Sequence, residues 1–344
     1  MTRRVAVVLF NLGGPDSPEA VRPFLFNLFH DPAIIGLPQP LRWLVARLIS
    51  GGRRKTAQAI YARIGGSSPL VKETEAQRQA LSAHLATHRP DLEIAVVVAM
   101  RYWRPFTEAA AKEVEAFAPD DVVLMPLYPQ YSTTTTGSSL LAWKKAYQGG
   151  GRVSAICCYP EGGGLIEAHA RQIEATMARS EAGAPLRIIF SAHGLPQKII
   201  AAGDPYQQQV ERSAAALAKR LGATDWRVSY QSRVGPLKWI GPSTIEALEE
   251  AGRDKVGVLV VPIAFVSEHS ETLVELDIEY RELAHHAGVP VYLRAPAIGV
   301  QRTFIAELGA MVEQALNGPG IAPYGPACLG RFPKCPLQCE ARAA

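Results

Sequence analysis

The chain has 344 residues, of which 48% are hydrophobic and 20% charged, with a formal net charge of +4. Such values describe an ordinary globular protein, long enough for about two domains. The charge is small and no basic patch is interleaved with aromatics, so nucleic acid is not an expected partner.

The first apolar run, residues 5–10 after Met1-Thr2-Arg3-Arg4, imitates a signal peptide. It is too short, and it ends in Asn-Leu-Gly-Gly-Pro at 11–15 with no small-residue cleavage site, so a first β-strand is expected. No stretch approaches the ~18–20 apolar residues of a membrane span. The expected location is cytoplasmic, at most resting on a membrane.

Residues 31–49 are apolar but cut by Pro32, Pro38 and Pro40, and Gly51-Gly52-Arg53-Arg54-Lys55 follows. This reads as a loop and an amphipathic helix with cations at its end. Short Val- and Ile-rich runs recur at 5–10, 94–100, 122–127, 153–158, 187–192, 226–231, 256–264 and 291–293. They lack polar alternation, the mark of parallel strands covered on both faces. Helical stretches fall between them at 71–88, 107–117, 165–179, 206–221 and 303–316. Four strands in each half predict an α/β protein of two doubly wound domains, each with a four-stranded, mainly parallel sheet. The expected divisions are 1–162, including an apolar lip at 31–55, then 163–316, then a Gly/Pro-rich connector and cysteine tail at 317–344. Right-handed crossovers put the strand carboxyl ends on one rim of each sheet. The expected site is a cleft between two such rims.

Two residues at strand ends stand out. His193 follows the strand at 187–192 and is flanked by Gly194 and Pro196. A histidine there is a structural side chain or a group that takes a proton near neutral pH. Glu271, Glu275 and Glu279 recur every four residues after the strand at 256–264, with Glu268 one turn earlier. Like charges at this spacing repel, and most such stripes are solvated faces. Here Leu273, Val274, Leu276 and Ile278 already supply a buried side, and stacked carboxylates suit a hard cation moving in steps. A local π-type widening aligns a four-residue repeat better than an α-helix does. The Ser/Thr run at 132–139 can cradle an anion, though it lacks the Gly-Lys-Ser/Thr of a P-loop. The pairs His84/His88 and His285/His286 have no third ligand nearby in sequence and read as solvated helix faces.

Cysteines number five, and Cys328, Cys335 and Cys339 crowd into the tail. With Cys157 or Cys158 they make four thiolates, a set that fits structural zinc or an iron–sulfur cluster.

Several longer segments carry a resemblance: NLGGPDS (11–17), YARIGGSSPL (61–70), MRYW (100–103), YPQYSTTTTGSS (128–139), SAHGLP (191–196), GDPY (203–206), QSRVGPLKWIGPST (231–244) and PIAFVSEHSETLVELDIEY (262–280). Along nearly its whole length the chain resembles the ferrochelatases, enzymes that insert ferrous iron into a porphyrin. The resemblance implies a lyase making protohaem from protoporphyrin IX, with Fe(II) as substrate. It implies His193 and Glu271 as the catalytic pair, with Glu275 and Glu279 as an acidic iron path behind them. Leu12, Tyr61, Arg101, Tyr102, Trp239 and Phe265 are then porphyrin-site residues, and Arg53 and Ser68 lie near the propionates. The lip rests on the cytoplasmic membrane surface, and the chain is a monomer or homodimer. Animal members carry a cluster cysteine inside the YPQYS loop, where this chain has Thr133. The chain resembles instead those bacterial members whose first cluster ligand lies near Cys157-Cys158, which implies a [2Fe–2S] cluster on Cys158, Cys328, Cys335 and Cys339. The alternatives are a coproporphyrin III ferrochelatase or other metal chelatase, and a non-catalytic haem or porphyrin binder.

Overall fold

The Val-rich runs become strands, and the interior ones are buried on both faces. A computed structural model describes residues 2–179, 185–233, 235, 237–318 and 333–335. Chain order begins β1 (Arg3–Asn11), α1 (Val21–Phe29), α2 (Gln39–Ala62), α3 (Leu70–His88), β2 (Leu92–Met100), α4 (Thr107–Phe117), β3 (Asp121–Pro126), α5 (Thr136–Ala146) and β4 (Arg152–Ala155). It continues with α6 (Gly163–Met177), β5 (Leu186–His193), α7 (Gln197–Ala201), α8 (Tyr206–Leu221), β6 (Trp226–Gln231), α9 (Thr244–Asp254) and β7 (Gly257–Pro262). A π-helix (Glu271–Glu279), α10 (Tyr280–His286), β8 (Tyr292–Arg294) and α11 (Arg302–Asn317) complete it.

Two compact units result. Of the described residues, one takes those up to 128, 132–157 and 308–318; the other takes 129–131, 158–307 and 333–335. The first unit holds a four-stranded sheet in the order β2-β1-β3-β4, every pairing parallel. The second holds a four-stranded sheet in the order β6-β5-β7-β8, again all parallel. Doubly wound α/β architecture is therefore present in both halves.

The central strand of each sheet explains its composition. Val5 to Phe10 in β1 are all fully buried. Ala6, Val8 and Phe10 face a core with Val97, Ala110, Val114, Leu124 and Trp143. In β5, Ile188, Phe190 and Ala192 face Val210, Ala214 and Leu217 of α8, while Ile189 faces the opposite core with Leu248 and Leu276. A strand covered on both faces has no use for alternating polar residues. Leu276 comes from the π-helix, so that helix lies directly on the second sheet.

Three local readings change. The fourth strand ends at Ala155, opposite Leu124 of β3. The Ile156 amide still donates to the Leu124 carbonyl at 2.9 Å, and residues 156–158 stay buried. The segment expected to be a loop plus a helix with cations at its end is largely one 24-residue helix, α2, starting at Gln39 with Pro38 as its N-cap and Pro40 in its first turn. Proline there removes no hydrogen bond the helix needs. Gly51-Gly52 costs propensity, about 1 kcal/mol per glycine, yet does not end α2, which runs on to Ala62. Arg53, Arg54 and Lys55 therefore lie within the helix rather than at its end. Only Ala46, Ser50 and Tyr61 of α2 are buried. Leu41, Trp43, Leu44 and Leu48 stand exposed, Leu48 by 66%.

Candidate active site

In the second unit, the strand order delivers His193 at the carboxyl end of the interior strand β5, level with Gln231 on β6. The next residue is glycine, and a Cβ there would crowd the Gln231 carbonyl at 3.0 Å and the Trp239 ring at 3.3 Å. The Gly194 amide donates to that carbonyl at 2.9 Å, and an antiparallel bridge joins Pro196 to Trp239. Backbone and indole together fix the direction in which the imidazole leaves the sheet.

His193 Nδ1 lies 2.7 Å from Glu271 Oε2, with the two side chains 38% and 24% exposed. Glu271 opens the π-helix. Burial pulls the His193 pKa down, but the facing Glu271 carboxylate outweighs this and the net shift is upward. Glu271 moves the other way: burial favours its neutral form, yet His193 holds it well below the usual carboxylate range. With Nδ1–H donating to the carboxylate, the Nε2 lone pair of neutral His193 is left to accept a proton.

Behind Glu271, the wider turn of the π-helix places Glu275 next in line. Ser232 donates to Glu275 Oε2 at 2.6 Å and lies 3.2 Å from Glu271 Oε2. Gln231 Nε2 donates to the Glu271 carbonyl at 3.1 Å and to Glu275 at 3.3 Å. Gln231 is itself oriented by Ser191, whose hydroxyl donates to its Oε1 at 2.7 Å. Ser232 sits at φ +61°, a strained value for a residue other than glycine and one that recurs at functional sites. Burial, reinforced by the charge of Glu271, raises Glu275 to about 7. Glu279 is exposed, so the stripe runs from half-buried to open.

His269 and Phe265 complete this end, their rings 4.4 Å apart between centroids. His269 Nδ1 accepts from the Glu271 amide at 3.0 Å, and burial lowers its pKa. Its ring therefore acts as a neutral cap on the start of the π-helix.

The first unit holds the remaining expected residues. Leu12 follows β1, and its carbonyl accepts from the Tyr102 amide at 2.9 Å. Tyr102 is 1% exposed and donates its hydroxyl to Asp31 at 2.7 Å. Arg101 pairs with the same carboxylate at 2.8 Å. Ser68 is buried against Gly14, where a Cβ would lie 2.5 Å from the Ser68 hydroxyl. Tyr61 is buried near the end of α2, whereas Arg53 lies exposed in its middle.

Cys158 and Cys335 are both buried and belong to the second unit. Gln209 on α8 donates to Cys158 Sγ at 3.4 Å. Pro333, two residues before Cys335, packs on Gly203 at the α7–α8 turn. Cys328 and Cys339 lie outside the described residues. Among the described residues no three His, Cys, Asp or Glu side chains gather as a metal-binding group.

A family model for ferrochelatase matches residues 4–316. The ferrochelatase of Phenylobacterium zucineum is 60% identical over 334 residues, 96% of this chain and 97% of that one. That of Caulobacter vibrioides is 56% identical over 342 residues, 98% of this chain and 99% of its own. The chain belongs to the ferrochelatase family. Among solved structures, SirB from Bacillus subtilis with Fe3+ matches with TM-score 0.57 at 11% identity, covering 92% of this chain and 98% of that one. At that identity the likeness concerns the fold, and it is the same two-sheet α/β fold.

Four residues escaped the sequence reading: Asp31, Gln231, Ser232 and Arg294. Gln231 and Ser232 lie in a segment that carries the family resemblance, but nothing in a serine's spelling announces a positive φ. Asp31 and Arg294 act through partners up to 107 and 26 residues away.

Proposed function

We propose that the chain inserts ferrous iron into protoporphyrin IX, with His193 taking the pyrrole protons and Glu271, Glu275 and Glu279 handling the incoming metal. Iron insertion into a porphyrin for haem synthesis is the activity of its family. What supports the residue roles is one observation above all: a histidine at an interior strand end, 2.7 Å from the first carboxylate of a π-helical acidic stripe. A free-base porphyrin must lose two N–H protons, and its nitrogen lone pairs lie in the ring plane. A base on one face and a ring held bent answer both needs. Anaerobic insertion by the purified protein tests the reading. Faster turnover with protoporphyrin IX than with coproporphyrin III is expected; the reverse preference would move the assignment to coproporphyrin, and binding without insertion would make the chain a porphyrin carrier.

The exposed apolar face of α2, with Arg42, Arg47, Arg53 and Arg54 among its residues, supports peripheral membrane attachment. Among the described residues no helix is long and apolar enough to span a bilayer. Co-sedimentation with anionic vesicles that weakens at high salt is the expected result; no binding at low salt would refute it.

The tail is read as a ligand set for a [2Fe–2S] cluster on Cys158, Cys335, Cys328 and Cys339. Cys158 and Cys335 fit that reading, since both are buried in one unit and a side-chain amide N–H reaches the Cys158 sulfur. When bound, the cluster supplies a tether for the tail. As-purified protein should be coloured and each single Cys→Ser change should bleach it; a colourless protein with one zinc per chain would overturn the assignment.

A further inference from the structure

Asp31 is a buried carboxylate that the insertion chemistry does not use. Its side chain is only 2% exposed. It lies two residues past α1, where the chain turns into the segment leading to α2. A carboxylate so deep must be neutralised and have its lone pairs filled. Oδ1 accepts from the Ala33 amide at 2.8 Å. Oδ2 accepts from the Tyr102 hydroxyl at 2.7 Å, the Ser138 hydroxyl at 2.5 Å and Arg101 Nη2 at 2.8 Å. The Asp31 carbonyl also accepts from the Ile34 and Ile35 amides, at 3.0 and 2.9 Å.

The charged contacts close into a triangle. Arg101 Nε donates to Ser138 Oγ at 2.7 Å, and the Ser138 hydroxyl in turn donates to Asp31. The Nε and Nη2 edge of the guanidinium is thereby committed. Arg101 follows β2 directly and its amide donates to the Asn11 carbonyl at the end of β1, so its backbone is fixed as well. Tyr102 cannot release its proton to Asp31: burial first, and then the Asp31 charge, push its pKa far up, so it stays a donor.

We infer that Asp31 is a positioning residue: it fixes the orientation of Arg101 at the rim of the first sheet and ties it to the foot of the apolar lip. This rests on the porphyrin reading above. One oxygen holds the backbone of the segment carrying the exposed Ile34 and Leu37, and the other holds the guanidinium. Displacement of the lip foot therefore disturbs Arg101, and a ligand on Arg101 steadies the lip foot.

The test compares wild type, Asp31→Asn and Ser138→Ala. Asparagine keeps the volume but removes the charge and offers N–H where Oδ2 must accept. Ser138→Ala opens the triangle and spares the ion pair. Porphyrin KM is expected to rise about tenfold or more in Asp31→Asn, as loss of a charge-assisted hydrogen bond implies, and about threefold in Ser138→Ala, where the ion pair remains. Iron KM should stay within a factor of two, which general destabilisation of the fold would not single out. Amide exchange at residues 33–35 should speed up in Asp31→Asn, and porphyrin should slow it in wild type only. Wild-type porphyrin KM in both variants would overturn the inference while leaving the porphyrin reading intact. If Asp31→Asn fails to fold, porphyrin affinity of Ser138→Ala, followed by quenching of porphyrin fluorescence, decides alone. A wild-type protein that binds no porphyrin would instead overturn both.

Discussion

Iron insertion by a His193→Ala variant is expected to fall by about 10²–10⁴-fold, the range for loss of a general base, while porphyrin still binds. The imidazole is held by one strand end and one carboxylate rather than by core packing, and its side chain is 38% exposed. Its removal should therefore leave the fold intact. The pH profile carries a second consequence. His193 accepts a proton only when neutral, so the acid limb of kcat/KM follows its pKa in the free enzyme. Burial would lower that pKa, but Glu271 opposes burial and wins, so the limb lies above the ordinary histidine value. Glu271→Gln removes the main opposing charge and leaves burial opposed only by the more distant Glu275. The limb should then move to lower pH, with maximal rate reduced. A limb that stays put in Glu271→Gln, or near-wild-type turnover in His193→Ala, would take the base role away from His193.

Much of this site was legible because its chemistry follows strand ends. A β-strand buried on both faces must be apolar, so the polar residue that ends it is conspicuous, and His193 is found that way. The four-residue repeat of Glu271, Glu275 and Glu279 announced an unusual helix, and those residues do span a π-helix. What escaped is long-range or conformational. Ser232 joins two carboxylates only because its backbone adopts φ +61°. Asp31 gathers donors from residues 33, 101, 102 and 138, and no local pattern links them. The extent of α2 escaped for a different reason. The cations at 53–55 read as the helix end, yet α2 runs on through them to Ala62.

Arg294 supplies the largest expected loss of stability. A π-helix is a poorer helix than an α-helix, so residues 271–279 need outside support to keep that winding. β8 provides it with two side chains. Tyr292 donates its hydroxyl to the Leu276 carbonyl at 2.6 Å. Arg294 reaches Glu268 at 2.5 Å, just before the π-helix, and grips both oxygens of Asp277 within it, Nε to Oδ1 at 2.9 Å. Glu268 in turn accepts from the Ala297 amide at 2.9 Å and from Thr272. The Arg294 side chain is only 9% exposed, so these charges meet with little water between them. Removing one member of such a group leaves the others buried and unpaired, at a cost of about 3–5 kcal/mol. Arg294→Met should lose that much in chemical denaturation. Arg294→Lys should recover only part, because one ammonium cannot span Glu268 and Asp277 as the guanidinium fork does. Amide exchange across 271–279 should quicken more than in the first unit, and insertion should weaken as Glu271 loses its fixed distance to His193. Arg294→Met within about 1 kcal/mol of wild type, the worth of an exposed pair, would mean that the π-helix is held by its packing on the sheet through Leu276 and not by this clamp.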